Sequence, residues 1–446
     1  MDDDSDVSTT AAQQRRARTL RRNSHLLLAL LLVVGAGLVV AGLREPGVSA
    51  SAFGPPGPPG PYGPRPGGPL PTPYDEAIAT LRAQSAALLR GDESAFLAAA
   101  DSGLQARYRD MFHNLRALGV TRFDYFPDGG QRVADDPDGL SVRVDIRYCF
   151  GAHMCPAQPQ DIWGSPPRIA QTLTFRRVAG RYVIAEVVTG PRPDARQPTP
   201  WENGRLAVAQ GRRVTVLASP TQARHLAEVL SVAEAAAQVD DRFAAVYGTP
   251  QVHYRVYLAG DSQWKSWYRG EKDRWAIGVT VPLNRYGLDV MLRVSQVGDP
   301  QILRLTLQHE FGHVVTLDGS AVRAASAADA WVVEGIAEYV GWWPRRAGQS
   351  FRAPSVRAAV AAGAPRTIVL ELPAANASQG AGDAFYGLSH FAMECMSRRY
   401  GEPKLFAFVK AVLTDGASDD VAARSAYGVP FASVDTACVS WIRQQV

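Results

Sequence analysis

A His-Glu-x-x-His pattern, HEFGH at residues 309–313, is the strongest chemical signal in this 446-residue chain. Residues four apart share one face of a helix, so the imidazoles of His309 and His313 can reach a single metal ion. Glu310 follows the first histidine directly and projects beside that face, where a carboxylate can act as a general base on water. These residue types at this spacing predict a hydrolytic zinc site with one Zn²⁺ per chain.

The segment that carries the motif is predicted to be a helix beginning at Asp299-Pro300. Aspartate is a good N-cap and proline fits the first helical turn. Three strand-like stretches precede this helix, at 252–259, 275–283 and 288–297. Peptide substrates often pair with a strand edge beside such a site, so we expect 288–297 to be the strand that binds substrate.

A second predicted helix, AWVVEGIAEYVGW at 330–342, carries Glu334 and Glu338 one turn apart on the same face. Together with HEFGH, this segment resembles the gluzincin metallopeptidases, particularly the peptidase-MA-like group related to the aminopeptidases. The resemblance spans roughly residues 252–401. It implies that Glu334 is the third zinc ligand and that Glu338 orients a ligand histidine, a role that metal-bound imidazoles generally need filled.

A third helical stretch, FYGLSHFAMECMSRRYG at 385–401, offers a donor for the oxyanion that forms during hydrolysis. Tyr386 and His390 are four apart and share a helix face. The stretch resembles the family's tyrosine-bearing helix, which favours Tyr386 as the catalytic donor, with His390 as the second candidate. Aromatic packing of a core helix is the alternative reading. No GxMEN-type segment for gripping a substrate amino terminus is found, so aminopeptidase activity is not indicated.

These features predict a zinc metallopeptidase that hydrolyses peptide bonds in a protein or peptide substrate, with Glu310 as general base. Two alternatives stay open: a zinc-binding interaction module of the same fold with little or no turnover, and a zinc amidase acting on a non-peptide cell-wall substrate. The net charge is only +4 and the basic residues form no block outside the N-terminal tail, so we expect no nucleic-acid partner. The oligomeric state stays open.

The N-terminal region contains LLLALLLVVGAGLVVAGL, 18 residues without a charge, at 26–43. A helix of that length reaches about 27 Å, close to the thickness of a hydrocarbon core. Arginines precede the run, so we predict a cytoplasmic tail at 1–24, a transmembrane helix at 25–43 and a catalytic domain outside the cell membrane. The alternative is a signal peptide cleaved near Val48-Ser49-Ala50, which would leave a secreted protein.

Proline- and glycine-rich linkers at 44–73 and 191–200 divide the remaining chain into 74–190 and 201–446. In 74–190, helical stretches precede strand-like ones, and LLRGDESAFLAAAD at 88–101 resembles the opening of nuclear-transport-factor-like domains. The predicted fold class is α+β: a single transmembrane helix, a small cone-like α+β domain, and a zincin-like metallopeptidase domain with a mixed sheet followed by active-site helices.

Four cysteines, an even number, suggest disulfides: Cys149, Cys155, Cys395 and Cys438. Four cysteines allow three pairings, and the simplest is local, 149 with 155 and 395 with 438. A zinc site at Cys149, His153 and Cys155 is the alternative for the first pair, although this spacing matches no common zinc knuckle.

Overall fold

A computed structural model describes residues 71–446 apart from 135, 158–163, 190–195, 203, 270–275 and 321–327. Among the helices of this part, none is long and apolar enough to cross a membrane. The two longest, Leu226–Tyr247 and Gln379–Tyr400, have charged side chains among their apolar ones. The fold class is therefore corrected: the described part is α+β, with two sheets and twelve helices and without a transmembrane helix. The location at the cell membrane, which was predicted from the anchor, is withdrawn as well. The predicted tail and span at 1–24 and 25–43 lie outside the described residues.

The first part of the chain contains three helices and four strands: α1 Pro73–Arg90, α2 Glu93–Leu97, α3 Gln105–Ala117, β1 Val120–Val133, β2 Asp136–Phe150, β3 Arg168–Val178 and β4 Arg181–Thr189. The strands form an antiparallel sheet in the order β1-β2-β3-β4. Side chains of α1 and α3, including Leu81 and Leu115, pack in one apolar core with Phe123 and Phe175 of the sheet. Helices followed by a meander of strands is the predicted α+β order.

The second part opens with a five-stranded mixed sheet and two helices: β5 Ala207–Gln210, β6 Val214–Ala218, α4 Leu226–Tyr247, β7 Tyr254–Ala259, α5 Asp261–Ser266, β8 Gly278–Asn284 and β9 Gly287–Arg293. The strand order is β5-β6-β7-β9-β8, with β6, β7 and β9 parallel and the two outer strands antiparallel to their neighbours. The prediction that 288–297 binds substrate is wrong, because β9 has strands on both sides and its backbone groups are paired. The strand at the edge is β8.

Seven helices follow: α6 Pro300–Leu317, α7 Ala330–Trp342, α8 Ala353–Ala361, α9 Gln379–Tyr400, α10 Glu402–Leu413, α11 Asp419–Tyr427 and α12 Phe431–Gln445. One face of the mixed sheet, including Val216 and Val256, packs with α4 and with Phe311 of α6. The alternate residues, such as Tyr257 and Met291, point to the other face and share a core with the first part of the chain. Both faces of the central strands are thus buried, which explains their nearly continuous apolar sequence.

Two disulfides are present, Cys149–Cys155 and Cys395–Cys438. They are the two local pairings that the sequence favoured, and the first uses both sulfurs of the alternative zinc site. The second joins α9 to α12 across 43 positions. Closing a loop of that size lowers the conformational entropy of the unfolded chain, which stabilises the folded protein by about 4 kcal/mol.

Candidate metal centre

The helix α6 begins where the sequence predicts and delivers the HEFGH motif to the interior. The Asp299 carboxylate accepts hydrogen bonds from the backbone N–H groups of Gln301 and Ile302, at 2.8 and 3.0 Å, and Pro300 occupies the first turn. Apolar residues on one side of the helix pack on the mixed sheet, and the Phe311 ring stacks on Tyr254 with centroids 4.1 Å apart. This packing fixes the rotation of α6, and so the side of the helix on which its histidines lie.

Three side-chain atoms from α6 and α7 converge on one point. The Nε2 atoms of His309 and His313 each lie 3.3 Å from Oε2 of Glu334, and the three atoms all lie within 4.8 Å of one another. Ligand atoms arranged tetrahedrally around zinc stand about 3.3 Å apart, given metal–ligand bonds of about 2.0–2.1 Å. Glu334 Oε2 is buried and accepts no hydrogen bond from any described residue. The three residues therefore fit a metal ion.

The charge state of Glu334 also suits a metal ligand. Burial favours the neutral acid, but without a metal ion the adjacent imidazoles of His313 and His309, in their protonated form, outweigh burial and lower the pKa of Glu334 to about 2. A carboxylate that stays ionised at neutral pH can bind a cation without first losing a proton.

Glycines bring α6, α7 and α9 close enough for this convergence. A Cβ added at Gly341 of α7 would lie 3.0 Å from His309 Cβ and 3.2 Å from its Cα. On the side of α7 that faces α9, a Cβ at Gly335 would lie 2.8 Å from the Ser389 carbonyl oxygen. A side chain at Gly335 would force the backbone of α9 to move, and one at Gly341 would require His309 to shift by a few tenths of an ångström, so the two glycines in the sequence EGIAEYVG favour this close packing.

Glu338 lies behind the cluster, as the resemblance implies. Its Oε1 is 3.1 Å from Nδ1 of His309, on the opposite side of the ring from Glu334. The Trp342 indole N–H donates to Glu338 Oε2 at 3.1 Å, and Arg352 donates to both carboxylate oxygens at 3.1 and 3.2 Å. Burial opposes the charged form, but Arg352 and His309 hold the pKa of Glu338 far below its usual range. The carboxylate can thus direct Nε2 of His309 towards the cluster.

Glu310 is buried beside the cluster and contacts the edge strand β8. The Thr280 hydroxyl donates to Glu310 Oε2 at 2.8 Å and to its backbone carbonyl at 3.0 Å. A Cβ added at Gly278 would lie 2.5 Å from Glu310 Oε1, so a larger residue there would force the Glu310 carboxylate to move. Burial raises the pKa of Glu310, although His309 and His313 partly offset this effect. A raised pKa makes a carboxylate a better proton acceptor near neutral pH.

The cluster lies in the middle of a cleft that follows α6. A cavity of about 400 Å³ on one side includes Ile302, Leu305 and Trp342 in its lining, and a cavity of about 590 Å³ on the other includes Leu317 and Val333. Both cavities share further lining residues, which include Gly278, His309, Glu310 and Tyr386. The fifteen-residue separation of Ile302 and Leu317 corresponds to about 22 Å of helix.

Of the two predicted oxyanion donors, Tyr386 lies in the cleft and His390 does not line it. The Tyr386 ring centroid is 6.1 Å from that of His309, and burial raises the pKa of the phenol well above its usual value, so it keeps its proton. His390 is 1% exposed, and burial lowers its pKa to about 4. Its ring contacts that of Tyr339, at 6.4 Å between centroids.

Four residues of the site were not predicted: Gly278, Thr280, Arg352 and Asp383. Gly278 and Thr280 belong to a predicted strand, but nothing local indicates that this strand is the outer one. Arg352 precedes α8 in a stretch with no motif, and its partners Glu338 and Asp383 lie on two other helices. Only the tertiary contacts show these roles.

Two further histidines, His113 and His153, lie away from the cluster. His113 is near the surface, 3.5 Å from Glu93, and His153 pairs with Asp318 at 3.0 Å. No protein-family model matches the chain, and no curated protein sequence matches it. A proposal about function therefore depends on the geometry of the site and on the motif resemblance.

Proposed function

We propose that this protein is a zinc-dependent metallopeptidase of the gluzincin type, with His309, His313 and Glu334 as metal ligands and Glu310 as general base. The observation that carries the proposal is the pairing of a three-residue cluster with a separate buried carboxylate beside it. Structural zinc sites usually have four protein ligands, whereas catalytic sites have three and an open position. A cluster of three ligands next to an unused base fits the catalytic class.

A zinc ion supplies Lewis-acid chemistry, because it polarises a carbonyl and acidifies water. Glu310 accepts a proton from the attacking water and passes it to the leaving amine, a role that its burial and raised pKa favour. Tyr386 keeps its phenolic proton and donates a hydrogen bond to the developing oxyanion. Glu338 maintains the orientation of His309 throughout.

The cleft suits a peptide in extended conformation. Among the described strands, none lies on the outer side of β8, so its backbone groups there can pair with a substrate strand. Residues 276–280 run along the cleft from one cavity to the other. Because the cleft continues on both sides of the cluster, the proposed substrate is a chain that passes through it and is cut at an internal bond.

The test uses the purified protein with a defined peptide mixture, and mass spectrometry to map cleavage. We expect one zinc per chain and cleavage at internal bonds of peptides whose termini are blocked. Glu310→Gln should lower kcat by about 10²–10⁴-fold, the usual contribution of a general base, without changing the zinc content. Glu228→Gln, an exposed position on α4, is the matched control and should behave as the unchanged protein.

Two results would redirect the proposal. Bound zinc without hydrolysis of any peptide in the mixture would favour the interaction module, and cleavage of cell-wall fragments alone would favour the amidase. Full cleavage by Glu310→Gln would contradict the assigned mechanism.

A further inference from the structure

Arg352 occupies an unusual position in the wall of the cleft. It is the residue immediately before α8, and its side chain is only 15% exposed. The guanidinium donates to Glu338 of α7 through Nε and Nη2, and its Nη1 donates to Asp383 of α9 at 2.6 Å. One cation therefore joins three helices around the site.

The same guanidinium also contacts the proposed oxyanion donor. Its central carbon lies 4.7 Å from the centre of the Tyr386 ring, within the range of a cation–π contact. Arg352 thus touches the carboxylate that orients His309 and the ring that would donate to the oxyanion. Among the described residues, His309 also contacts both groups, with Nδ1 3.1 Å from Glu338 Oε1 and its ring centroid 6.1 Å from that of Tyr386, so Arg352 and His309 hold the same two groups from different sides.

We infer that Arg352 is a positioning residue that aligns the metal ligand His309, through Glu338, with the donor Tyr386. The inference rests on the proposed function. The planar guanidinium matches this task because its donors are fixed in one plane while its face is free to stack on a ring. A lysine has one point charge and cannot do both.

Charge balance gives the expected consequence of removing the guanidinium. Glu338 is 2% exposed, and Arg352 is the largest influence that stabilises its charge. Without Arg352, Glu338 is left buried with fewer donors, and its hold on the His309 ring weakens. Loss of such an outer partner usually costs 10–100-fold in metal affinity.

A purely structural role is the competing explanation, because ion pairs between helices also affect folding. The chain offers a matched control in Arg398, which pairs with Glu394 at 2.7 Å and lies 5.7 Å from the Trp441 ring, yet lines neither cavity of the cleft. Arg352→Met and Arg398→Met remove the same kind of contact, but only the first should affect the site.

The experiment measures zinc affinity by chelator competition, kcat and KM at saturating zinc, and thermal unfolding for both variants. For Arg352→Met we expect zinc affinity to fall roughly 10–100-fold, as for other outer partners of metal ligands. We also expect a fall in kcat larger than any change in KM, and Tyr386→Phe should have a smaller effect in this background than alone. Arg398→Met should change the unfolding temperature without changing zinc affinity or kcat.

Unchanged zinc affinity and kcat in a folded Arg352→Met protein would overturn the inference. If that variant does not fold, Arg352→Lys is measured instead, because it keeps a cation at this position. Weaker zinc affinity of Arg352→Lys supports the inference. Zinc affinity and kcat equal to those of the wild-type protein contradict it. If the unchanged protein binds zinc but hydrolyses no peptide, the proposed function fails, while the affinity measurements still test the alignment of His309.

Discussion

The two parts of the molecule bury polar side chains of different kinds. In the described residues up to 189, the buried polar side chains are neutral: Gln84, Ser85, Asn114 and Gln171. From residue 196 onward, charged or histidine side chains are buried as well: Asp240, Arg255, Asp289, Glu310, His313, Asp318, Glu338, His390 and Glu394. Burying charge is costly unless it is paired, so a concentration of buried charge in one part is consistent with the proposed site lying there.

The neutral groups of the first part have structural partners instead. The Asn114 amide donates to the carbonyls of Trp201 and Gly204 and accepts from the N–H of Leu206. Gln84 donates to the Phe96 carbonyl and accepts from the Tyr125 hydroxyl. The first part thus supports the second by packing and hydrogen bonding, and the experiments below test this division.

The largest expected contrast is between two histidines. His313→Ala removes a proposed metal ligand, so the zinc content should fall from one per chain to near zero, with loss of peptide hydrolysis. The loss of affinity should exceed the roughly 100-fold typical of an outer partner. His113→Ala in the first part should keep both properties, because His113 contacts only Glu93 and Phe112 among the described interactions. Metal analysis and kinetics check the pair, and equal effects would contradict the division.

A smaller effect on activity is expected when a single methyl group is added at Gly278. Gly278→Ala places a Cβ 2.5 Å from Glu310 Oε1, so the carboxylate of the proposed base must shift. A displacement of about 1 Å at a reacting group can cost about 10²-fold in rate, and we expect a fall of that order in kcat with unchanged zinc content. Gly103→Ala in the first part, whose Cβ would meet only Asp101 at 3.6 Å, is the control and should keep full activity.

The next expected effect is on stability. Burial raises the pKa of Asp240 well above its ordinary value, with the nearby Asp241 adding to the rise. In the unfolded chain the Asp240 carboxyl loses its proton near pH 4, whereas in the folded protein it keeps the proton to a higher pH. The free energy of unfolding therefore falls as the pH rises from about 4 towards the pKa of Asp240 in the folded protein. Each unit of elevation costs about 1.4 kcal/mol. Asp240→Asn should therefore stabilise the protein at pH 8 and flatten the pH dependence.

Urea unfolding at pH 5 and pH 8 measures this difference. Asp128→Asn, an exposed position in the first part, is the control and should stay within about 0.5 kcal/mol of the unchanged protein. A lower stability of Asp240→Asn at pH 8 would show that the ionised carboxylate has a stabilising partner after all.

The smallest effect concerns the contact between the two parts. His153 comes from the disulfide loop of the first part and meets Asp318, which follows α6. The hydrogen bond to Asp318 raises the pKa of His153 above 6.5, so the stabilisation is complete below pH 6.5 and is lost as pH rises through the folded pKa. The imidazole is half exposed, so His153→Gln should cost less than about 1 kcal/mol at pH 5.5 and nothing at pH 9. A cost that grows with pH would contradict this assignment.

Local signals were enough to predict the helices that carry the site. The cap at Asp299 and the apolar spacing give α6, and the predicted helix at 330–342 has the observed bounds of α7. The assignments of Glu334 and Glu338 came from the motif resemblance and stay predictions; the structure places Glu334 Oε2 3.3 Å from Nε2 of both His309 and His313, and Glu338 Oε1 3.1 Å from Nδ1 of His309. The physical reason is helix geometry. Residues one turn apart lie on the same face of a helix, and that face meets the matching face of a neighbouring helix where the two helices cross closely.

Contacts between distant segments could not be predicted in this way. Strand order decides that β8 and not β9 is the edge, and the hairpin that joins them is equally compatible with either order. Tyr386 and His390 share a face, but their four-residue separation places them about 6 Å apart along the axis, and of the two only Tyr386 lines the cleft. Arg352 belongs to the site through partners on two other helices, which no spacing along the chain reveals.

The core shared by the first part and the mixed sheet has a practical consequence for anyone seeking a minimal active fragment. A protein shortened to begin at residue 201 would expose Leu217, Tyr257, Met291 and their neighbours to water. A contiguous apolar patch of this kind promotes self-association. Such a fragment would be expected to aggregate on expression even with His309, His313 and Glu334 intact, so a shortened protein should begin before α1.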